Sequence, residues 1–243
     1  MRQIGVDEAG RGALLGPLVV ASLSIPAADE YLLVDAGVDD SKHLTPNRRD
    51  ELDRFIRAQS EHRDWHLAVE ICSAAIIDIT MQTETLNTLE CHLFAAAISA
   101  LPDVDDPCTL HLDACDVNVN RFKDRVMRLL PNAREDWEVL SEHGADARYA
   151  CVAGASILAK VARDLAVKEL NARSDIPLGS GYPSDPVTKG ALQQLITADE
   201  PPAALRRAWA PVVAAWRERH DSPIPPRELP EGEARIGGQA SLF

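Results

Sequence analysis

Asp7 and Glu8 stand side by side near the start of the chain, just behind the apolar residues Ile4 and Val6. Two further aspartates occupy comparable settings. Asp113 closes the apolar stretch "CTLHLDA" (108–114), and Asp146 lies in "EHGADARY", ahead of a long alanine-rich segment. Carboxylates at the ends of apolar strands suit hard divalent cations, which want oxygen ligands. No histidine or cysteine cluster competes for a softer metal, since the five cysteines form no C-x-x-C pair. Adjacent strand residues point to opposite faces. Asp7 and Glu8 are therefore expected to share a site only if the backbone turns there. Taken singly, an aspartate in so acidic a chain reads first as an exposed loop or cap residue, and only for the pair behind an apolar strand do the two readings balance. Paired carboxylates also serve glycoside hydrolysis, one as acid and one as base, and spacing alone leaves that open. Four tryptophans and three tyrosines are a thin supply for stacking on sugars. A serine nucleophile is disfavoured, because there is no G-x-S-x-G and Ser156 falls inside the alanine-rich segment. No G-x-x-x-x-G-K-[ST] phosphate loop is present either.

Three more groups carry potential chemistry. Gly10-Arg11-Gly12 allows backbone to approach a ligand on both sides of a cation. Ser156, Lys160 and Arg163 are spaced by four and three, so on a helix they share one face. A small phosphate-binding patch or an ordinary solvated face both fit that spacing. Tyr182 sits in the turn-forming stretch "GSGYPSDP" (179–186), where stacking on a ligand and simple packing are equally open.

The elements that must position these residues are legible from patterning. Residues 2–7, 17–25, 65–72, 108–114 and 136–141 read as strands. Helices are expected over 46–59, with Thr45 as N-cap and Pro46 at the first position, and over 85–100, 119–130, 153–172, 186–198 and 203–217. Interleaved strands and helices imply a layered α/β domain. The link between 2–7 and 17–25 is short enough for a hairpin, so the sheet should be mixed. From Asp221 the chain becomes rich in Pro, Gly and Glu without periodicity, which predicts a flexible tail.

Bulk properties exclude some classes. No apolar run approaches the roughly 20 residues of a membrane span. The N-terminus lacks a signal pattern, and the thiol pattern suits a reducing compartment, so a cytoplasmic protein is expected. The net charge of −13, with only five lysines among 25 bases, runs against a conventional basic nucleic-acid footprint. At molar salt, however, the Debye length is only about 3 Å and a long-range basic field has no use. An acidic, lysine-poor surface is the composition expected of a protein that works in concentrated salt.

Together, "GVDEAGRG", "DSKHLTP", "HLDACDVN", "ADARYACVAGASILAKVARD" and "GSGYPSDP", in this order, resemble the type 2 ribonucleases H, ribonuclease HII, and most closely the archaeal branch. The resemblance covers roughly residues 1 to 215. Ala13 stands where the family usually has proline, and Gly144 where archaeal members often have lysine. It implies a ribonuclease H-like α/β fold: a central mixed five-stranded sheet flanked by helices, with a helical C-terminal portion. One catalytic domain over 1–220 and a tail over 221–243 follow.

The resemblance further implies an endonuclease acting on the RNA strand of RNA/DNA hybrids and at single ribonucleotides in duplex DNA, leaving 5′-phosphate and 3′-hydroxyl ends. Asp7, Glu8, Asp113 and Asp146 match the family's metal-binding carboxylates, for two Mg²⁺ or Mn²⁺ ions. Gly10, Arg11 and Gly12 would approach the 2′-hydroxyl, and Tyr182 would stack on the sugar beside the junction. Lys42, Lys160 and Arg163 would hold phosphates. A monomer is expected. The final residues, "GQASLF", resemble a truncated form of the peptide that docks replication proteins on the sliding clamp, with Gln239, Leu242 and Phe243 as its anchors.

Overall fold

The structure, a computed structural model, describes residues 1–41, 43–103, 107–131 and 137–228. Its strands are β1 (Arg2–Ala9), β2 (Leu18–Pro26), β3 (His66–Cys72), β4 (Cys108–Asp113) and β5 (Glu138–Glu142). The helices are α1 (Glu30–Asp35), α2 (Pro46–His62), α3 (Ala74–Thr80), α4 (Leu86–Ser99), α5 (Val119–Leu129), α6 (Ala150–Ala172), α7 (Pro186–Leu195) and α8 (Ala210–His220). The strands form one sheet in the order β3-β2-β1-β4-β5. β1 pairs antiparallel with β2 and parallel with β4, and β4 pairs parallel with β5. The expected mixed five-stranded sheet is therefore what forms.

The chain divides into two compact units, taken in turn here. The first holds Met1–Ala9, Val19–Glu70 and Glu90–Ala162. Its core joins Ala21, Leu23 and Ile25 of β2 to Val152, Ala155, Leu158 and Ala159 of α6 and to Ile56 of α2. Alternate residues of a strand face opposite ways. Ser22 accordingly points to the other face of the sheet, where its hydroxyl donates to the Ala97 carbonyl of α4 at 2.7 Å. α4 meets α5 on that side through the edge-to-face pair Phe94–Phe122, 5.0 Å between centroids. The sheet is thus covered by helices on both faces. Gly5 lets α6 approach β1 closely, because a Cβ there would lie 2.3 Å from the Cys151 carbonyl carbon. The N-terminal part of α6 is consequently held against the strand that carries Asp7.

The second unit holds Gly10–Leu18, Ile71–Leu89 and Arg163–Phe243, the last described to Glu228. Its core gathers Leu14 and Leu15 with Leu178, Leu192, Ile196, Leu205, Val212 and Trp216.

Element boundaries follow local chemistry. Thr45 caps α2 by accepting the Arg48 N–H, with Pro46 in the first turn, as the sequence predicts. The helix expected over 203–217 begins only at Ala210, with Pro211 in its first turn. A proline lacks the N–H an interior position needs, so the chain before it cannot be one continuous helix. α1 and α3 are six and seven residues long, too short to show a periodic pattern. Beyond Asp221 the described residues have no helix or strand, yet Arg227 is fixed. Its guanidinium pairs with buried Asp78 at 3.1 Å and donates to the carbonyls of Ala203 and Leu205.

Candidate active site

Strand register brings the first two aspartates together. β1 and β4 run parallel with Val6 opposite Leu112, so the next residue of each, Asp7 and Asp113, are neighbours at the carboxyl ends of the strands. β5 ends beside Asp113, opposite Glu142, and leads into a 3₁₀ turn at Ala145–Ala147. Gly144, at φ 66°, opens that turn in the left-handed region, which a lysine would occupy only with strain. The Ala145 N–H donates to Asp113 Oδ1 at 3.1 Å and ties the turn down. Asp146 is thereby delivered to the same place. One carboxylate oxygen from each of Asp7, Asp113 and Asp146 lies within 4.8 Å of the others. Asp7 and Asp146 are buried, and Asp113 is half-buried.

Glu8 does not join this trio. β1 continues as regular strand through Ala9, with Asp7 opposite Ala21 and Glu8 opposite Val20. No turn occurs at the pair, yet the Glu8 carboxyl keeps a side-chain hydrogen bond to Asp7 and feels the Asp113 charge. Glu8 instead groups with Glu90 of α4 and Cys115, again with one ligand atom from each within 4.8 Å of the others. Glu90 and Cys115 escape sequence reasoning. The one signal for Glu90 is a lone acid in the apolar stretch of α4, where it is fully buried. The two groups feel each other electrostatically. Burial, then the Asp113 charge, pushes the Asp7 carboxyl up to about 7. Burial, then Asp7 and Glu90, pushes Glu8 well above the usual carboxylate range.

Negative charge concentrated out of water calls for a counter-ion. The donors around Asp7 are all hard oxygens, and the buried Glu8 Oε2 has no hydrogen-bond partner. Both features fit divalent cations. Asp116, three residues beyond Asp113, is engaged by α5. It is buried, takes Nε and Nη2 of Arg121 and accepts the Asn118 N–H at the start of α5.

In the second unit, the Gly10–Gly12 segment is a hydrogen-bonded turn, closed by the Ala13 N–H on the Gly10 carbonyl. Arg11 is half-buried and its Nη2 donates to Asn87 Oδ1 at 2.8 Å. A side chain at the exposed Gly12 would meet nothing within 4 Å, so backbone there is open to a ligand. Leu14 N–H donates to the Gly181 carbonyl at 2.7 Å, which fastens this segment to the loop of Tyr182.

Arg163 differs from the solvated cationic face that its spacing suggests. It is fully buried, its Nη2 donates to the carbonyls of Leu15 and Ser180, and its guanidinium covers the Tyr182 ring at 4.3 Å. Ser156 is buried as well, and Lys160 is half-buried. Arg163 therefore braces the tyrosine loop from inside instead of presenting charge to a ligand. Arg206, missed on sequence, works alongside it: Nε and Nη1 hold the carbonyls of Gly16 and Arg11. Lys42, Gln239, Leu242 and Phe243 lie outside the described residues.

Comparison with known proteins identifies the family. A family model described as Ribonuclease HII matches residues 4–212. The ribonuclease HII of Methanothermobacter thermautotrophicus is 39% identical over 214 residues, covering 87% of this chain and 98% of that protein. The crystal structure of ribonuclease H2 from Pyrococcus horikoshii OT3 superposes with a TM-score of 0.78 at 33% identity, over 91% of this chain and 100% of that one. An Archaeoglobus fulgidus ribonuclease HII, solved in complex with PCNA, gives a TM-score of 0.74 at 32% identity, over 86% and 95%. A strand register that gathers acids at the sheet's carboxyl end, a family match along most of the chain and relatives spanned almost end to end lead to one conclusion: the chain belongs to the ribonuclease HII family and is a ribonuclease H.

Proposed function

We propose that this ribonuclease H hydrolyses the RNA strand of RNA/DNA hybrids and also cuts at single ribonucleotides embedded in duplex DNA. It uses two divalent cations, Mg²⁺ or Mn²⁺, and leaves 5′-phosphate and 3′-hydroxyl ends. The observation that carries this reading is the convergence of Asp7, Asp113 and Asp146 from three separate segments onto one place, with Glu8 in a neighbouring acidic group that interacts with Asp7 and Asp113. These four carboxylates would hold the ions. When bound, the ions supply Lewis-acid polarisation of the scissile phosphate and neutralise its developing charge. The protein's part is to hold four oxygen donors in fixed positions before substrate arrives. Asp7 and Asp113 are set by strand register, and Asp146 by a turn anchored on Asp113.

The remaining residues select and place the substrate. Backbone at Gly10, Arg11 and Gly12 meets the 2′-hydroxyl, the group that marks RNA. The exposed, open position of Gly12 supports this reading. Tyr182 stacks on the sugar beside the junction, braced by Arg163. Lys160 and Lys42 take phosphates, which positions a strand without reading its sequence. The protein works as a cytoplasmic monomer, with one catalytic domain over 1–220. The C-terminal residues Gln239, Leu242 and Phe243 dock on the sliding clamp, an idea supported by the PCNA complex of the Archaeoglobus relative.

The test is a labelled duplex carrying one ribonucleotide, and a long hybrid, each incubated with Mg²⁺, Mn²⁺ or EDTA. Metal-dependent cleavage of both, with 3′-hydroxyl products, is expected. Cleavage that persists in EDTA would overturn the metal reading, and intact embedded ribonucleotides would restrict the enzyme to long hybrids. For the tail, titrating the clamp against full-length protein and protein lacking residues 239–243 should show binding only by the former.

A further inference from the structure

Asp7 has a buried polar neighbour that the proposed chemistry does not use. The Ser156 hydroxyl, on α6, donates a hydrogen bond to the Asp7 carboxylate. Ser156 Oγ also lies 2.8 Å from Ser41 Oγ, and both serines are buried, at 3% and 6% exposure. The bonds form a chain from Ser41 through Ser156 to Asp7. Its far end is fixed: Arg49 Nη1, from α2, donates to the carbonyls of Ser41 and Leu44 at 3.1 and 2.7 Å. At the near end, the Glu8 N–H donates to Asp7 Oδ1 at 2.7 Å. Asp7 is thus gripped from the backbone on one side and from a hydroxyl relay on the other.

We propose that Ser156 is a positioning residue for cation binding, with Ser41 acting through it. The hydrogen bond from Ser156 fixes the rotation of the carboxylate toward Asp113 and Asp146. Without the donor, Asp7 would rotate away from its acidic neighbours until a cation pulled it back, and affinity would fall by the cost of that reorganisation. The relay also links the metal carboxylate to Ser41, whose carbonyl Arg49 holds together with that of Leu44. The inference rests on the reading that Asp7 is a metal ligand, and its test separates the two.

Mn²⁺ binding to the free protein is measured by electron paramagnetic resonance of unbound Mn²⁺, for wild type and for Asp7→Asn, Ser156→Ala, Ser41→Ala and the double serine variant. Loss of an outer partner of a metal ligand typically costs about 10–100-fold in metal affinity, and Ser156→Ala is expected in that range. Ser41→Ala should weaken binding less, by about threefold, and the double variant should match Ser156→Ala because the two act in series. A merely structural role would lower the melting temperature of the serine variants and leave Mn²⁺ affinity within twofold of wild type. That result, with Asp7→Asn deficient, overturns the relay and spares the metal site. Asp7→Asn binding Mn²⁺ like wild type overturns the metal reading itself. If Ser156→Ala does not fold, Ser41→Ala carries the test, and unchanged affinity in it defeats the relay.

Discussion

At the scale of single residues, the acids and their environment set the clearest expectations. Asp7→Asn should reduce cleavage by at least ~10³-fold, since metal charge stabilisation is worth several kcal/mol. The same variant should melt no lower than wild type near neutral pH, because it removes a buried carboxylate that burial and Asp113 already disfavour as an anion. Steady-state cleavage assays and thermal unfolding check the two halves, and activity within tenfold of wild type would remove Asp7 from the site. Tyr182 has no part in coordination. Alanine there should slow cutting at a lone ribonucleotide by about 1–3 kcal/mol of stacking, with the Mg²⁺ dependence unchanged. Arg163→Lys should do much the same, since an ammonium cannot serve two carbonyls and lie flat on a ring at once. Because Arg163 acts through the tyrosine, the Tyr182→Ala/Arg163→Lys pair should be no worse than Tyr182→Ala alone. Additive losses would mean that Arg163 has a separate role.

At the scale of elements, register does most of the positioning. A parallel pairing of β1 with β4 makes neighbours of residues more than a hundred positions apart, and a left-handed glycine turns the chain back with the third acid. The segment around Arg227 is a different kind of element, with no repeating structure, held by a buried ion pair and by hydrogen bonds to the carbonyls of Ala203 and Leu205 and from Gln82 and Arg207. Breaking a buried pair by removing one partner costs about 3–5 kcal/mol. Asp78 would still accept the N–H groups of Arg207 and Ala208, so Arg227→Ala should fall at about 3 kcal/mol, the lower end of that range. Denaturant unfolding measures it. A loss below about 0.5 kcal/mol, the scale of an ordinary surface substitution, would show that the segment is not anchored there.

At the scale of the whole molecule, charge governs behaviour. The folded state holds a proton on Asp7 up to about pH 7, whereas the unfolded chain releases it near 3.8. Between those values the fold binds more protons than the unfolded chain. The stability contribution of this group is therefore greatest at low pH and is lost as pH rises toward 7. Glu8 moves the same way. A divalent cation reverses the effect by favouring the ionised acids. Saturating Mg²⁺ should accordingly raise the melting temperature more at about pH 8 than at about pH 6. An equal rise at both would mean the ions bind elsewhere. The acidic, lysine-poor composition carries a second expectation. Cleavage should persist or increase in molar KCl, where a basic footprint would be screened within about 3 Å, and a sharp optimum at low salt would overturn it.

The sequence by itself determined the order of the five strands and of the longer helices, the mixed character of the sheet, the capped start of α2 and the acids worth watching. Each of these is local: a β-branched run, a Thr-Pro start, or an aspartate at the end of an apolar stretch declares itself within about ten residues. The late start of α8 is legible too, in Pro211, which a helix interior does not accept. What only the tertiary structure decided is which of these groups meet. Glu8 and Asp7 are adjacent in sequence, yet the unbroken pleat of β1 sends them to different neighbours. Cys115 carries no local signature and Glu90 only a faint one, a lone acid in an apolar stretch, because their significance comes from what packs against β1. Spacing on α6 grouped Ser156, Lys160 and Arg163 as one outward face, but a helix packed into a core has no outward face at those positions, and burial turned two of the three inward. Periodicity tells which residues share a side of an element; which side is covered, and by what, is settled by contacts between segments distant in the chain.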